Sequence, residues 1–192
     1  MKRIDLPEDV LGLRKKKSDT SSPNVAIKAG RVRTRRQSSF ARAVTTPLNQ
    51  PREEIIIDGR LCAIILSASF DEEGIQFFTP NEMSQQLASM SYKAGKVIPA
   101  HTHNRVLREA SFTQEALFIR KGTLRVDFYT QQGKYRTSRI LTSGDVIMLI
   151  SGGHGFEVLE DLNMIEVKQG PYVGAADKKR FKRAVPRKLN FG

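Results

Sequence analysis

From Glu54 onward the chain is written in short β-rich runs, each stopped by Gly, Pro or Asn before it could reach the length of an ordinary helix. That punctuation admits strands and tight turns and little else. Candidate strands cover residues 55–57, 61–70, 75–78, 86–92, 97–103, 115–120, 123–130, 135–141, 146–150, 156–159 and 164–167. Asp58-Gly59 between the first two is a turn pair that closes a hairpin. The spacing suits an all-β sandwich or barrel with no room for crossover helices. Residues 81–90 are open to two readings. Asn81 could cap a helix carrying Met83, Leu87 and Met90 on one face, but a short turn leading into a strand is favoured.

Alternation assigns faces. Glu115, Leu117 and Ile119 share one side, as do Leu124, Val126 and Phe128, while Arg125, Asp127 and Tyr129 take the other. If the apolar sets line the interior, Glu115 points inward, where a lone carboxylate is costly without a cation. On a strand, His101 and His103 also point the same way. Cys62, the only cysteine, sits in an apolar run and reads as a small buried hydrophobe, which excludes disulfide and thiolate–metal frameworks. Asp145 after Gly144 reads as a turn residue that satisfies nearby backbone donors.

The net charge of +12 suggests a polyanion binder until it is divided along the chain. Residues 1–52 carry 13 Lys plus Arg against 4 acids, and residues 177–192 carry 7 against 1. Residues 53–176 have 12 basic and 15 acidic residues, so the body is slightly negative. The expected organisation is a basic, flexible arm over 1–52, a β-barrel domain over 53–176 with its motif core at 86–170, and a basic tail over 177–192. The arm keeps no sustained apolar period and cannot bury enough surface to offset its ordering entropy. Weak contact of residues 1–50 and 177–192 with RNA, DNA or an anionic membrane surface is weighed against a solubilising or docking role, and the latter is favoured because the arm has almost no aromatics beyond Phe40. No apolar run approaches the roughly 20 residues of a membrane helix, and the basic start leads into Pro7, Glu8 and Asp9 instead of an apolar stretch, so a cytoplasmic address is expected.

The chain has three histidines, His101, His103 and His154. Imidazoles at i and i+2 on a strand can ligate one metal, with a carboxylate and a third imidazole from neighbouring strands completing the set. Gly95, five residues, His101 and His103, then Glu115, six residues and Gly122, resemble the first motif of the cupin superfamily, G(x)5HxH(x)3-4E(x)6G, with eleven residues in place of three or four between His103 and Glu115. Gly144-Asp145 followed by Ile150, Gly152, Gly153 and His154 resembles an edited second motif. The stretch from Gly152 through Met164-Ile165-Glu166-Val167-Lys168-Gln169-Gly170-Pro171-Tyr172 looks like that of small single-domain bacterial cupins of unassigned activity, loosely associated with surface-polysaccharide gene sets.

This resemblance implies a single jelly-roll (double-stranded β-helix) barrel holding one divalent transition metal, Fe, Mn, Zn or Ni, through His101, His103, Glu115 and His154. Gln114 competes with Glu115 as fourth ligand, because a bulge would exchange their faces. Tyr92 is the candidate catalytic residue, a general base if its pKa is lowered. Arg105 and Arg108 are candidate contacts for an anionic or hydroxyl-rich substrate, and Lys168 and Gln169, which close the last strand, are weighed in the same way. The implied activity is that of a metal-dependent isomerase, epimerase or Fe-dependent oxygenase acting on a small sugar or nucleotide-sugar. The alternative is a non-catalytic sugar- or metabolite-binding module recruited to an anionic partner by its basic ends. A homodimer, with residues 55–78 as an edge-pairing element, is expected by analogy.

Overall fold

The computed structural model describes residues 45–48 and 50–183, so the expected arm over residues 1–44 and the end of the tail beyond 183 lie outside the described residues. The described chain is all-β. It comprises β1 (Thr45–Pro47), β2 (Arg52–Ile57), β3 (Arg60–Leu66), β4 (Gly74–Phe77), β5 (Ala88–Ser91), β6 (Glu115–Lys121), β7 (Leu124–Tyr129), β8 (Tyr135–Leu141), β9 (Val146–Leu149), β10 (Gly153–Val158) and β11 (Asn163–Lys168), followed by one 3-10 turn at Gly174–Asp177.

Two larger sheets face one another. The first runs β1-β8-β7-β10 and the second β11-β6-β9-β3-β2, while β4 and β5 form a separate hairpin. None of the sheets closes on itself. All pairings are antiparallel except β1 with β8. β6 and β7, joined through Gly122, lie in different sheets, β6 between β11 and β9 and β7 between β10 and β8, so the chain winds back and forth between the sheets. Alternation is the reason the core forms between them: Leu117 and Ile119 of β6, Leu124, Val126 and Phe128 of β7, and Ile147 and Leu149 of β9 join one buried cluster. A second cluster, with Ile64, Leu66, Met148 and Ile150, lies under Phe78 and Leu87 on the outer side of the five-stranded sheet.

The Asp58-Gly59 turn behaves as its sequence demands, with φ of 50° and 75°. Asp145 is buried, and its carboxylate accepts from the amides of Ala68 and Thr142 at 2.8 and 2.7 Å, as a turn carboxylate should. Residues 81–87 are turns that lead into β5, and Cys62 is buried and free. Two expectations are corrected. Residues 97–103 form no strand: the whole of 93–113 is exposed and irregular. Pro99 removes a ladder donor in the middle of that run, and no strand lies beside it to pair with. The arm expected to reach residue 52 gives way earlier, because β1 already pairs with β8 and β2 begins at Arg52.

The outward face of β7 is also buried. Arg125, Asp127 and Tyr129 are 5%, 0% and 1% exposed, because their own ion pairs and the C-terminal segment cover them. Asp127 accepts from Arg125, from Ser138 Oγ at 2.6 Å and from Arg183 at 2.7 Å; Arg125 also pairs with Glu157. For Arg183, burial works against the charge, but the bonds to Asp127 and Glu157 outweigh it and push the pKa further up.

Gly122 joins β6 to β7 at φ 88°, and a methyl group there would stand 2.1 Å from the backbone oxygen of Asp161. Gly59 has a similar φ of 75° but open space around it. Gly122→Ala therefore loses roughly 2 kcal/mol or more, from backbone strain plus collision, whereas Gly59→Ala loses only the strain of about 1 kcal/mol. Urea midpoints of the two variants check the order.

Candidate functional site

Glu115 opens β6 and Lys168 closes β11, and the two stand opposite one another in the ladder. Opposed residues of an antiparallel pair share a face, so Lys168, like Glu115, projects toward the space between the sheets, with Glu166 beside Leu117 on the same side. From the facing sheet comes His154, on β10 opposite the core residue Phe128 of β7. The four side chains form a polar recess at the end of an apolar interior, with Glu115 buried and His154, Lys168 and Glu166 around it partly exposed.

The carboxylate is the centre of it. Glu115 is 5% exposed, and His154 Nε2 lies 3.2 Å from its Oε2. Two ammoniums approach its other oxygen, Lys168 at 3.9 Å and Lys178 at 3.7 Å. Lys168 is held in turn by Glu166 at 2.9 Å. The facing His154 imidazole is the main influence holding the Glu115 carboxyl below its ordinary value of 4.5; burial opposes this, and the charges of His154, Lys178 and Lys168 add to it. The Lys168 ammonium moves up, through its bond to Glu166 first and against some burial. Phe156 flanks the imidazole with ring centroids 5.4 Å apart.

Of the residues singled out from sequence, Glu115 and His154 are brought together and Lys168 joins them. Gln114 faces elsewhere: its amide donates to Gln169 Oε1 at 2.7 Å, and the two side-chain amides meet at 3.4 Å. His101 and His103 sit on the exposed segment before β6, their rings 5.2 Å apart, with His101 Nδ1 2.9 Å from the Pro99 carbonyl oxygen. Tyr92 is 40% exposed beneath the Lys96 ammonium, and no hydrogen bond among the described residues ties it to Glu115 or His154. Arg105 and Arg108 are exposed on the same irregular segment as the two histidines.

The expected four-ligand metal centre is therefore not assembled in this arrangement. Among the described residues no three His, Cys, Asp or Glu side chains stand together as a metal-holding group. The carboxylate that would be the anionic ligand already has two ammoniums within 4 Å, and the imidazole nitrogen that would ligate is turned toward that carboxylate. Glu115 and His154 bring together two of the four expected donors.

Sequence reasoning missed Glu166 and Lys178. The signal for Glu166 was present in Met164-Ile165-Glu166-Val167-Lys168, where Met164 packs on the core and the alternate apolar residues Ile165 and Val167 are 47% and 50% exposed. A strand with its charges inward marks a site. Lys178 carries no such signal, since it belongs to a charge run.

No protein-family model matches the chain, and no curated protein and no solved structure is significantly similar to it.

Because folding lowers the Glu115 pKa, its charged form contributes stability that is present above 4.5 and is lost as pH falls through the folded-state value. Glu115→Gln is expected to be less stable by on the order of 1–2 kcal/mol at neutral pH and to show a flatter acid limb, because its neutral amide has no proton to take up. Denaturant titrations of both proteins from pH 7 downward measure this.

Proposed function

We propose that this chain is a jelly-roll protein of the cupin type and an enzyme that isomerises a small polar carbonyl compound, of the sugar or nucleotide-sugar class, by proton transfer. The winding of β6–β11 between two facing sheets supports the fold. The observation that carries the activity is His154, partly open to solvent, facing the buried Glu115 across 3.2 Å at the polar end of an apolar interior. A carboxylate only accepts, so the nitrogen facing it carries the proton, and Nδ1 is left as the base. Nδ1 would take a proton from the carbon next to the substrate carbonyl. The C–H electron pair then becomes the C=C bond of an enediolate and the former carbonyl oxygen takes the negative charge. Lys168, whose ammonium is fixed by Glu166, would stabilise that oxygen, while Glu115 stabilises the imidazolium. The hydroxyl on the deprotonated carbon passes its proton to that oxygen, its O–H electron pair forms the new carbonyl, and the C=C pair takes the proton back from the imidazolium at the former carbonyl carbon, which completes the isomerisation.

A second reading keeps the metal. The adjacency of the His101 and His103 rings favours it, since both imidazoles would travel together to Glu115 and His154 and hold one Fe, Mn, Zn or Ni ion. A non-catalytic sugar-binding module is the third outcome.

One experiment separates them. The full chain is incubated in D2O with ketose sugars, ketose phosphates and keto-sugar nucleotides, with and without chelator, and deuterium at carbon is followed by NMR. Chelator-independent exchange that falls about 100-fold or more in His154→Ala and Glu115→Gln is expected. Near-stoichiometric metal in the purified protein, lost in His101→Ala, would overturn the proposal in favour of the metal centre. Binding of these compounds without exchange would favour the module.

A further inference from the structure

The C-terminal segment that follows the 3-10 turn is basic in sequence, yet its contacts point inward. Lys178 reaches Glu115 at 3.7 Å. Phe181 packs edge-on against Tyr129 with ring centroids 5.1 Å apart. Arg183 binds Asp127 through both Nε at 3.1 Å and Nη2 at 2.7 Å, and reaches Glu157 at 2.6 Å. One short stretch thus touches the recess at one end and the outer face of the four-stranded sheet at the other.

What lies under its middle is the strand that carries the imidazole. His154 stands between Gly153 and Gly155, two residues with no side chain to hold the backbone in place. A methyl group on Gly153 would come within 2.9 Å of Phe181 Cζ and 3.1 Å of Tyr129 Cβ, so the ring of Phe181 rests directly on the glycine. A methyl group on Gly133, in the turn between β7 and β8, would be 2.9 Å from Phe181 Cδ2. Glu157, three residues after His154 on the same strand, is the one that Arg183 grips. The strand is held from outside at both sides of the histidine, by an aromatic ring before it and an ion pair after it.

We propose that residues 178–183 form a strap that positions the site: Phe181 and Arg183 brace β10 so that His154 meets Glu115, and Lys178 completes the recess. Taking the Glu115–His154 pair as the working centre rests on the function proposed above. Phe181 and Arg183 are positioning residues that touch neither reacting group. Their side chains act through Gly153 and Glu157.

The test reads the imidazole itself, which three histidines make simple. Side-chain 15N shifts of His101, His103 and His154 are recorded at one fixed pH for the full chain and for Phe181→Ala, Arg183→Ala and Lys182→Ala, alongside thermal unfolding. The strap predicts that His154 moves in the first two variants, that His101 and His103 stay in place, and that Lys182→Ala changes nothing. Amides of residues 153–155 should exchange several-fold faster in Phe181→Ala and Arg183→Ala. Phe181→Leu and Arg183→Lys, which keep an apolar contact and a cation, should restore part of both effects; they also serve if the alanine variants fail to fold. An unmoved His154 signal in a folded Phe181 or Arg183 variant would overturn the strap. The readout needs no substrate, so a moved signal with no deuterium exchange in any sugar would sink the enzymatic reading and leave the strap standing.

Discussion

A carboxylate enclosed by β-sheets stays charged only if cations or hydrogen-bond donors surround it, and two such carboxylates organise the described domain. Glu115, 5% exposed, sits between the sheets; Asp127, 0% exposed, lies against the outer side of one of them. Each recruits a partner from the distant C-terminal segment besides those on nearer strands. Glu115 gathers His154, Lys168 and Lys178, and Asp127 gathers Arg125, Ser138 and Arg183. Without those partners either group would have to take up a proton or reach water, and the strands that carry them would separate. The C-terminal segment serves both, which is why its path is fixed by charge more than by apolar contact.

The contrast between the recess and the core is one of cost. Leu117, Phe128 and Leu149 fill the interior with no polar atom to satisfy, whereas Glu115, opposite Leu149, and His154, opposite Phe128, introduce groups that demand compensation. A chain selected only for stability would continue the apolar pattern to the end of β6 and β11, since replacing a buried ion cluster by packed apolar residues is commonly neutral or stabilising. Polar groups retained where an apolar side chain would fit argue for chemistry at that place. The same reasoning does not extend to Asp127, whose partners enclose it completely and leave no room for a substrate.

Much of this was legible from residues alone. Period-two alternation gave the inward faces of β6 and β7, Asp58-Gly59 gave the first hairpin, and Gly144-Asp145 gave its turn, because each rests on local geometry that the sequence carries in full. The placement of His101 and His103 on an irregular segment was not legible in the same way. Their run has β-branched residues and the right spacing, but a strand exists only where a partner offers its ladder, and Pro99 interrupts the donors. Alternation describes which side a residue faces once a strand exists. It does not show that the strand exists.

The net charge illustrates the same limit. Residues 177–192 read as a free basic tail because a charge run is ordinarily solvated, and the count of 7 basic residues against 1 acid is correct. Yet the body between residues 53 and 176 is itself short of cations, with 15 acids against 12 bases, and three of its acids, Glu115, Asp127 and Asp145, are buried where an unpaired charge is costly. The tail supplies the difference, since Lys178 and Arg183 are ion-paired to Glu115 and Asp127. Charges that look like an offer to an external polyanion are in part the internal counter-ions of the domain. The deficit in one segment and the excess in the next are two halves of one electrostatic requirement, and the contact that satisfies it also braces the strand bearing His154.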